Sequence, residues 1–176
     1  MERAMELAVR QDVELAVRQD VELAVRQDVE LAVRQDVELT VRQDGIAHEA
    51  ACTAVLAAVR EGAALGVAVN AAVVDSGGTL VAFLRASGAF LHSIAIAQDK
   101  AFTAVGFRMP TADLGRLIAG NPDLRDGLIR RDRLTAFPGG LPILADGRLI
   151  GGIGVSGASE EQDCRCARAG LAALGL

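Results

Sequence analysis

Residues 137–163, F-P-G-G-L-P-I-L-A-D-G-R-L-I-G-G-I-G-V-S-G-A-S-E-E-Q-D, decide how this chain folds. Seven of these 27 residues are glycine, set inside what otherwise reads as paired strands running into a helix. Glycine weakens a strand interior, so such a run marks bulges or the close approach of another backbone or a ligand. Asp146-Gly147, between L-P-I-L-A and R-L-I-G-G-I-G-V, has the chemistry of a two-residue hairpin turn. Ser159 and Gln162 stand at capping-box spacing, which predicts a helix starting there. The stretch is therefore an open rim of backbone, with Gly139 and Gly140 at its start, leading to a helix N-terminus. Such a rim suits a ligand without naming one.

Upstream of this rim the same signals recur. Asp44 is placed to cap a helix through Ile46 to Gly62. V-A-V-N-A-A-V-V-D (67–75) reads as a strand, S-G-G (76–78) as a turn and T-L-V-A-F-L-R (79–85) as the returning strand. A second long helix is predicted over 89–105, and Pro110 and Gly120-Asn121-Pro122 break the next stretch into short helical pieces. Two strands in 141–155 and a helix from Glu160 to about Leu174 complete the chain. Strands joined by hairpins give an antiparallel sheet, and the helices must cover its faces. With one more strand taken from Val37 to Arg42, the expectation is an α+β domain with a five-stranded sheet.

Residues 7–38 are four identical copies of L-A-V-R-Q-D-V-E, and a fifth begins at Leu39. The composition suits a helix, and Glu and Arg alternate at i,i+4. Valine, however, recurs every four residues, so its row slips about 40° per step and circles a helix in about 36 residues. Heptads are absent, which disfavours a standard coiled coil. Read with period two, each V-E-L-A-V-R is a short half-buried strand. The expected organisation is a repeat extension over 1–36 and a folded domain over 37–176. The extension is either an association arm or a repeat expansion that the fold tolerates.

Composition narrows the function classes. At 176 residues, with 51% hydrophobic residues and a mean hydropathy of +0.31, the chain is long and apolar enough to bury a core. There is no Trp or Tyr, and aromatics are 3% of residues, which leaves no stacking surface for single-stranded nucleic acid. A net charge of −5 opposes phosphate-backbone binding as well. No apolar run has the length of a membrane span. The three cysteines, Cys52, Cys164 and Cys166, are too few for a disulfide framework and point to a reducing cytoplasm.

The candidate chemistry lies on the second long helix. His92, Ile96, Asp99 or Lys100, and Thr103 fall on one stripe, opposite Phe90, Ile94, Ala97 and Ala101. Lys100 is the one lysine among 18 basic residues. This face reads either as a pocket wall, with Lys100 or His92 meeting an acidic group or a metal, or as a surface ion pair beside a partly buried histidine. Arg85 is placed to hold a carboxylate on a ligand or an internal acid. His48 sits early in the first helix of the domain. Cys164 and Cys166 lack zinc-ligand spacing. The arginines of 125–133 alternate with Asp126 and Asp132, as on a solvated face. No G-x-S-x-G, H-E-x-x-H or P-loop is present.

Five blocks carry a resemblance: D-S-G-G-T-L-V-A-F-L-R (75–85), S-I-A-I-A-Q-D-K-A-F-T-A (93–104), M-P-T (109–111), P-G-G-L-P-I (138–143) and I-G-G-I-G-V-S-G-A-S-E-E-Q-D (150–163). In this order they resemble the GlcG/HbpS-like haem-binding, or haem-degrading-domain, family over roughly residues 40–176. The resemblance implies a profilin-like sandwich with helices on both faces of the sheet, homo-oligomers, and links to haem, corrinoid metabolism and glycolate utilisation. The family's R-M-D-G-A appears here as R-A-S-G-A (85–89), so Ser87 stands where an acid is usual.

Three functions are consistent with these readings. One is a haem or related tetrapyrrole-binding protein, with propionates met by Arg85 or Lys100 and iron by His92 or His48, against the Gly139-Gly140 rim. A second is a cofactor-independent enzyme on a small acidic or oxygenated metabolite, with Asp99 and Lys100 as acid and base. The third is a non-catalytic oligomeric scaffold.

Overall fold

A computed structural model describes residues 2–35, 38 and 40–176, with side chains of the first helix described at residue 10 and over 14–29. The chain forms two compact units, residues 1–42 and 43–176.

The first unit is a helix, α1 (Glu2–Gln35). The period-two strand reading of the repeat is thus corrected. Leu, Ala, Arg, Gln and Glu are good helix formers, and pairs such as Arg26–Glu22 (3.2 Å) add i,i+4 support. Val17, Val21, Val25 and Val29 are 55–57% exposed, and Leu15 and Leu23 57–58%.

The second unit runs α2 (His48–Ala64), β1 (Asn70–Asp75), β2 (Leu80–Arg85), α3 (His92–Phe107), α4 (Thr111–Ala119), α5 (Pro122–Leu128), β3 (Gly140–Ala145), β4 (Arg148–Ser156) and α6 (Glu160–Ala172). Its sheet has the order β2-β1-β4-β3, antiparallel throughout. Among the described residues the sheet has four strands, not five. Of the expected first strand, Val37 and Leu39 lie outside the described residues, and Glu38 and 40–42 join no ladder. Val41 is 83% exposed, so no core draws it into a sheet. Asp44 does not cap α2, whose N-cap is Ala47. Its carboxylate pairs with Arg148 (2.7 Å) and its carbonyl accepts from the Ser76 hydroxyl. No helix among the described residues is long and apolar enough to cross a membrane.

Helices lie on both faces of the sheet. Ala71, Val73, Ile153 and Val155 pack with Ala51, Ala54, Val55 and Ala58 of α2 and with Cys166 and Ala167 of α6. On the other face Val74 packs with Ala101 and Val105 of α3. β4 accepts α3 because it presents glycine there. A Cβ on Gly154 would overlap the Ala97 carbonyl oxygen, and one on Gly152 would sit 2.7 Å from a Val105 methyl. The expected close approach in the glycine-rich stretch is this one: the partner is the α3 backbone. Asp146 and Gly147 both have positive φ (50° and 74°), as a type I′ hairpin needs, and Ser159 and Gln162 form the expected capping box.

Candidate functional site

The predicted site residues separate into a buried group and an exposed group. Lys100 is 1% exposed. Its Nζ donates to Asp163 Oδ2 (2.8 Å) and to the Val155 carbonyl oxygen (2.9 Å), and it lies 4.8 Å from the centroid of the Phe137 ring. The other Asp163 oxygen accepts from the Ala158 amide (3.1 Å). The pair thus ties α3 on one face of the sheet to the start of α6, past the end of β4. Burial pulls the Lys100 pKa below its ordinary value and pushes that of Asp163 above its own, and the mutual attraction of the pair opposes both shifts.

Gly139 and Gly140 belong to this buried group. Gly139 has φ 120°, and a Cβ there would fall 2.7 Å from Lys100 Nζ and 2.6 Å from the Val155 carbonyl. One on Gly140 would overlap the Lys100 carbonyl. The Phe-Pro-Gly-Gly turn is therefore the lid of an internal ion pair. The Thr111 hydroxyl fastens it by donating to the Phe137 carbonyl (2.7 Å) and accepting from the Gly140 amide (3.0 Å).

Asp99, next to Lys100 in sequence, faces outward instead and pairs with Arg133 (3.4 Å), whose guanidinium lies 3.8 Å from the centroid of Phe102. Asp99 and Lys100 do not share a pocket, so the geometry does not assemble them as an acid–base couple. Thr103 is buried and structural: its hydroxyl donates to the Arg133 carbonyl and accepts from the Thr135 amide, both at 3.0 Å.

The exposed group sits where β2 runs into α3. Arg85 ends β2 and donates Nε (3.2 Å) and Nη2 (2.6 Å) to the Ala89 carbonyl. This closes the turn through Ser87 and Gly88, the latter at φ 85°. Phe90 and Leu91 come next, 70% and 71% exposed, and His92 opens α3 with its side chain at the surface. Beneath them Asn70 is fully buried, with Nδ2 donating to the Phe90 carbonyl (3.1 Å). An imidazole, a guanidinium and two bare apolar side chains are thus held within eight residues (85–92). That set fits an amphipathic iron macrocycle: imidazole for iron, apolar surface for the ring, guanidinium for a carboxylate. His48 stands elsewhere, exposed and 3.0 Å from Glu49. No cluster of three metal-binding side chains occurs among the described residues.

Sequence reasoning missed Asp163 as the partner of Lys100, because its stretch S-E-E-Q-D reads simply as the start of a helix. Burial of a lone lysine in a glycine-rich setting was the signal available, but the partner is 63 positions away. Phe90 and Leu91 were also missed, because an apolar pair at a helix start ordinarily reads as core.

An antiparallel sheet covered by α3 on one face and by α2 and α6 on the other, with a lysine–aspartate pair passing its end, defines the class of domain. The chain belongs to the family described as haem degrading protein HbpS-like, whose model matches residues 46–172. Among solved structures it is similar to a double mutant of Streptomyces reticuli HbpS, at 38% identity over 78% of this chain and 92% of that one, with a TM-score of 0.71. It is also similar to PduOC solved as a haem complex, at 33% identity over 73% of this chain and 94% of that one, TM-score 0.68. The corrinoid adenosyltransferase PduO of Salmonella typhimurium is 36% identical over 122 residues, 68% of this chain but 36% of that relative's length.

Proposed function

We propose that this chain binds haem or a related tetrapyrrole at the edge formed by residues 85–92. The reading is supported by the family and by the similarity to PduOC, which was solved with haem. The observation that carries it to a place in this molecule is the bare Phe90–Leu91 pair beside His92. Exposed apolar side chains next to a metal-binding imidazole are otherwise a cost in water. His92 would ligate the iron, and the free Nη1 of Arg85 would meet a propionate. Lys100, Gly139 and Gly140 would contribute by holding the framework under this edge, with Asp163 compensating the lysine.

A single chain leaves the far side of a ring bound at this edge uncovered. That favours a homo-oligomer in which a second copy covers it, as the resemblance implies. Three sparse cysteines, all free, support a reducing, cytoplasmic setting. Titration of the purified protein with hemin, followed at the Soret band, is expected to give a saturable shift at a fixed stoichiometry. A featureless linear rise would refute the proposal.

A further inference from the structure

Residues 129–137 form a strap with no sheet partner. It is pinned by Thr103 to the Thr135 amide and by Thr111 to the Phe137 carbonyl. Gly115 lets α4 touch it, since a Cβ there would overlap the Ala136 carbonyl. Between the strap, α4 and α5 lies a cleft of about 440 Å³, within the range of small-molecule sites at roughly 300–1,000 Å³. Its walls are mostly apolar, supplied chiefly by Ile118, Ile129, Leu134 and Phe137, and Arg125 is the one charged side chain among the lining residues.

Among the described residues Arg125 is engaged only by its neighbour Asp126 (3.1 Å), in a pair with both side chains about half exposed (48% and 54%). Such a pair contributes at most about 1 kcal/mol. A ligand carboxylate brought in on an apolar body would meet the same guanidinium with less water around it, where a charge-assisted bond is stronger. We propose that this cleft is a second binding site, for a small ligand with an apolar chain or ring and one anionic group, and that Arg125 holds the anionic end. None of its walls belongs to the 85–92 edge, so it stands or falls apart from haem binding there.

The absence of Trp and Tyr from the chain makes the test specific. In an Ala119→Trp variant, at an exposed position of the cleft wall, the introduced indole is the only one in the chain. Decanoate is expected to shift its emission saturably, and decan-1-ol to do so at least tenfold more weakly. Arg125→Gln in that background should weaken decanoate about tenfold, and Ile129→Asp, at an exposed position, should abolish the response with an unchanged circular dichroism spectrum. The hemin Soret titration of all these variants should match that of the parent. The proposal is overturned by an indole that does not respond to millimolar decanoate, by equal binding of decan-1-ol, or by a hemin titration that saturates the same indole response and displaces decanoate. It is overturned equally if Ile129→Asp splits an assembly in solution while the parent binds no decanoate, because a second copy then fills the cleft.

Discussion

Lys100 stood out in the sequence as the chain's one lysine, but its chemistry is that of an internal cation. An ammonium at 1% exposure is tolerable only because Asp163, Val155 and the Phe137 ring surround it. Removing one partner leaves an uncompensated buried charge, so Lys100→Met and Asp163→Asn are each expected to lower unfolding free energy by about 3–5 kcal/mol in urea denaturation. The double change Lys100→Met/Asp163→Leu should cost clearly less than the sum. In Lys100→Met the attraction that holds the Asp163 pKa down is gone, and burial keeps it above its unfolded value of 3.8. A raised folded-state carboxylate contributes stability below the unfolded value and loses it as pH rises through the folded one. Relative to the parent, Lys100→Met should therefore be less destabilised at pH 5 than at pH 8, and the opposite order would contradict a buried, compensated pair. Cys166 offers a second check. Burial pushes its thiol up to about 11, so roughly one molecule in a thousand is thiolate at pH 8. A disulfide reagent at that pH should modify exposed Cys52 in the folded protein and reach Cys166 only after denaturant is added.

At the level of elements, the glycines of β4 are the contacts on which α3 rests. Gly154→Ala places a methyl on the Ala97 carbonyl and is expected to destabilise by on the order of 3 kcal/mol. Gly106, in α3 with nothing within 4 Å of a built Cβ, should gain up to about 1 kcal/mol on change to Ala. Thermal melts of the two variants side by side measure the contrast. The hairpin at Asp146-Gly147 and the capping box at Ser159 were legible from sequence because each is a local rule written in adjacent residues. What lay against the glycines was not, since a strand pattern does not say whether a ligand or a helix backbone approaches it. The same blindness hid the Asp163 pairing and the strap at 129–137, which two threonine hydroxyls hold from distant helices.

For the whole molecule, the order of helices and hairpins was readable, but the strand count was not. The fifth strand rested on a repeat whose period fits a helix and a strand alike, and only the sheet itself decides which residues find a partner. Among the described residues both hydrophobic clusters are drawn from residue 46 onward. Deleting residues 1–36 should accordingly remove helical circular dichroism while leaving the thermal midpoint of the remainder within a few degrees. A collapse of the midpoint would mean that the repeat belongs to the folded body. The central claim is that residues 85–92 hold a tetrapyrrole through His92. Its most direct measurement is the Soret titration of hemin into the parent, His92→Ala and His48→Ala in parallel. A saturable band in the parent and in His48→Ala, displaced or lost in His92→Ala, is the predicted result. Identical saturable spectra for all three, or no saturable band in the parent, would contradict it.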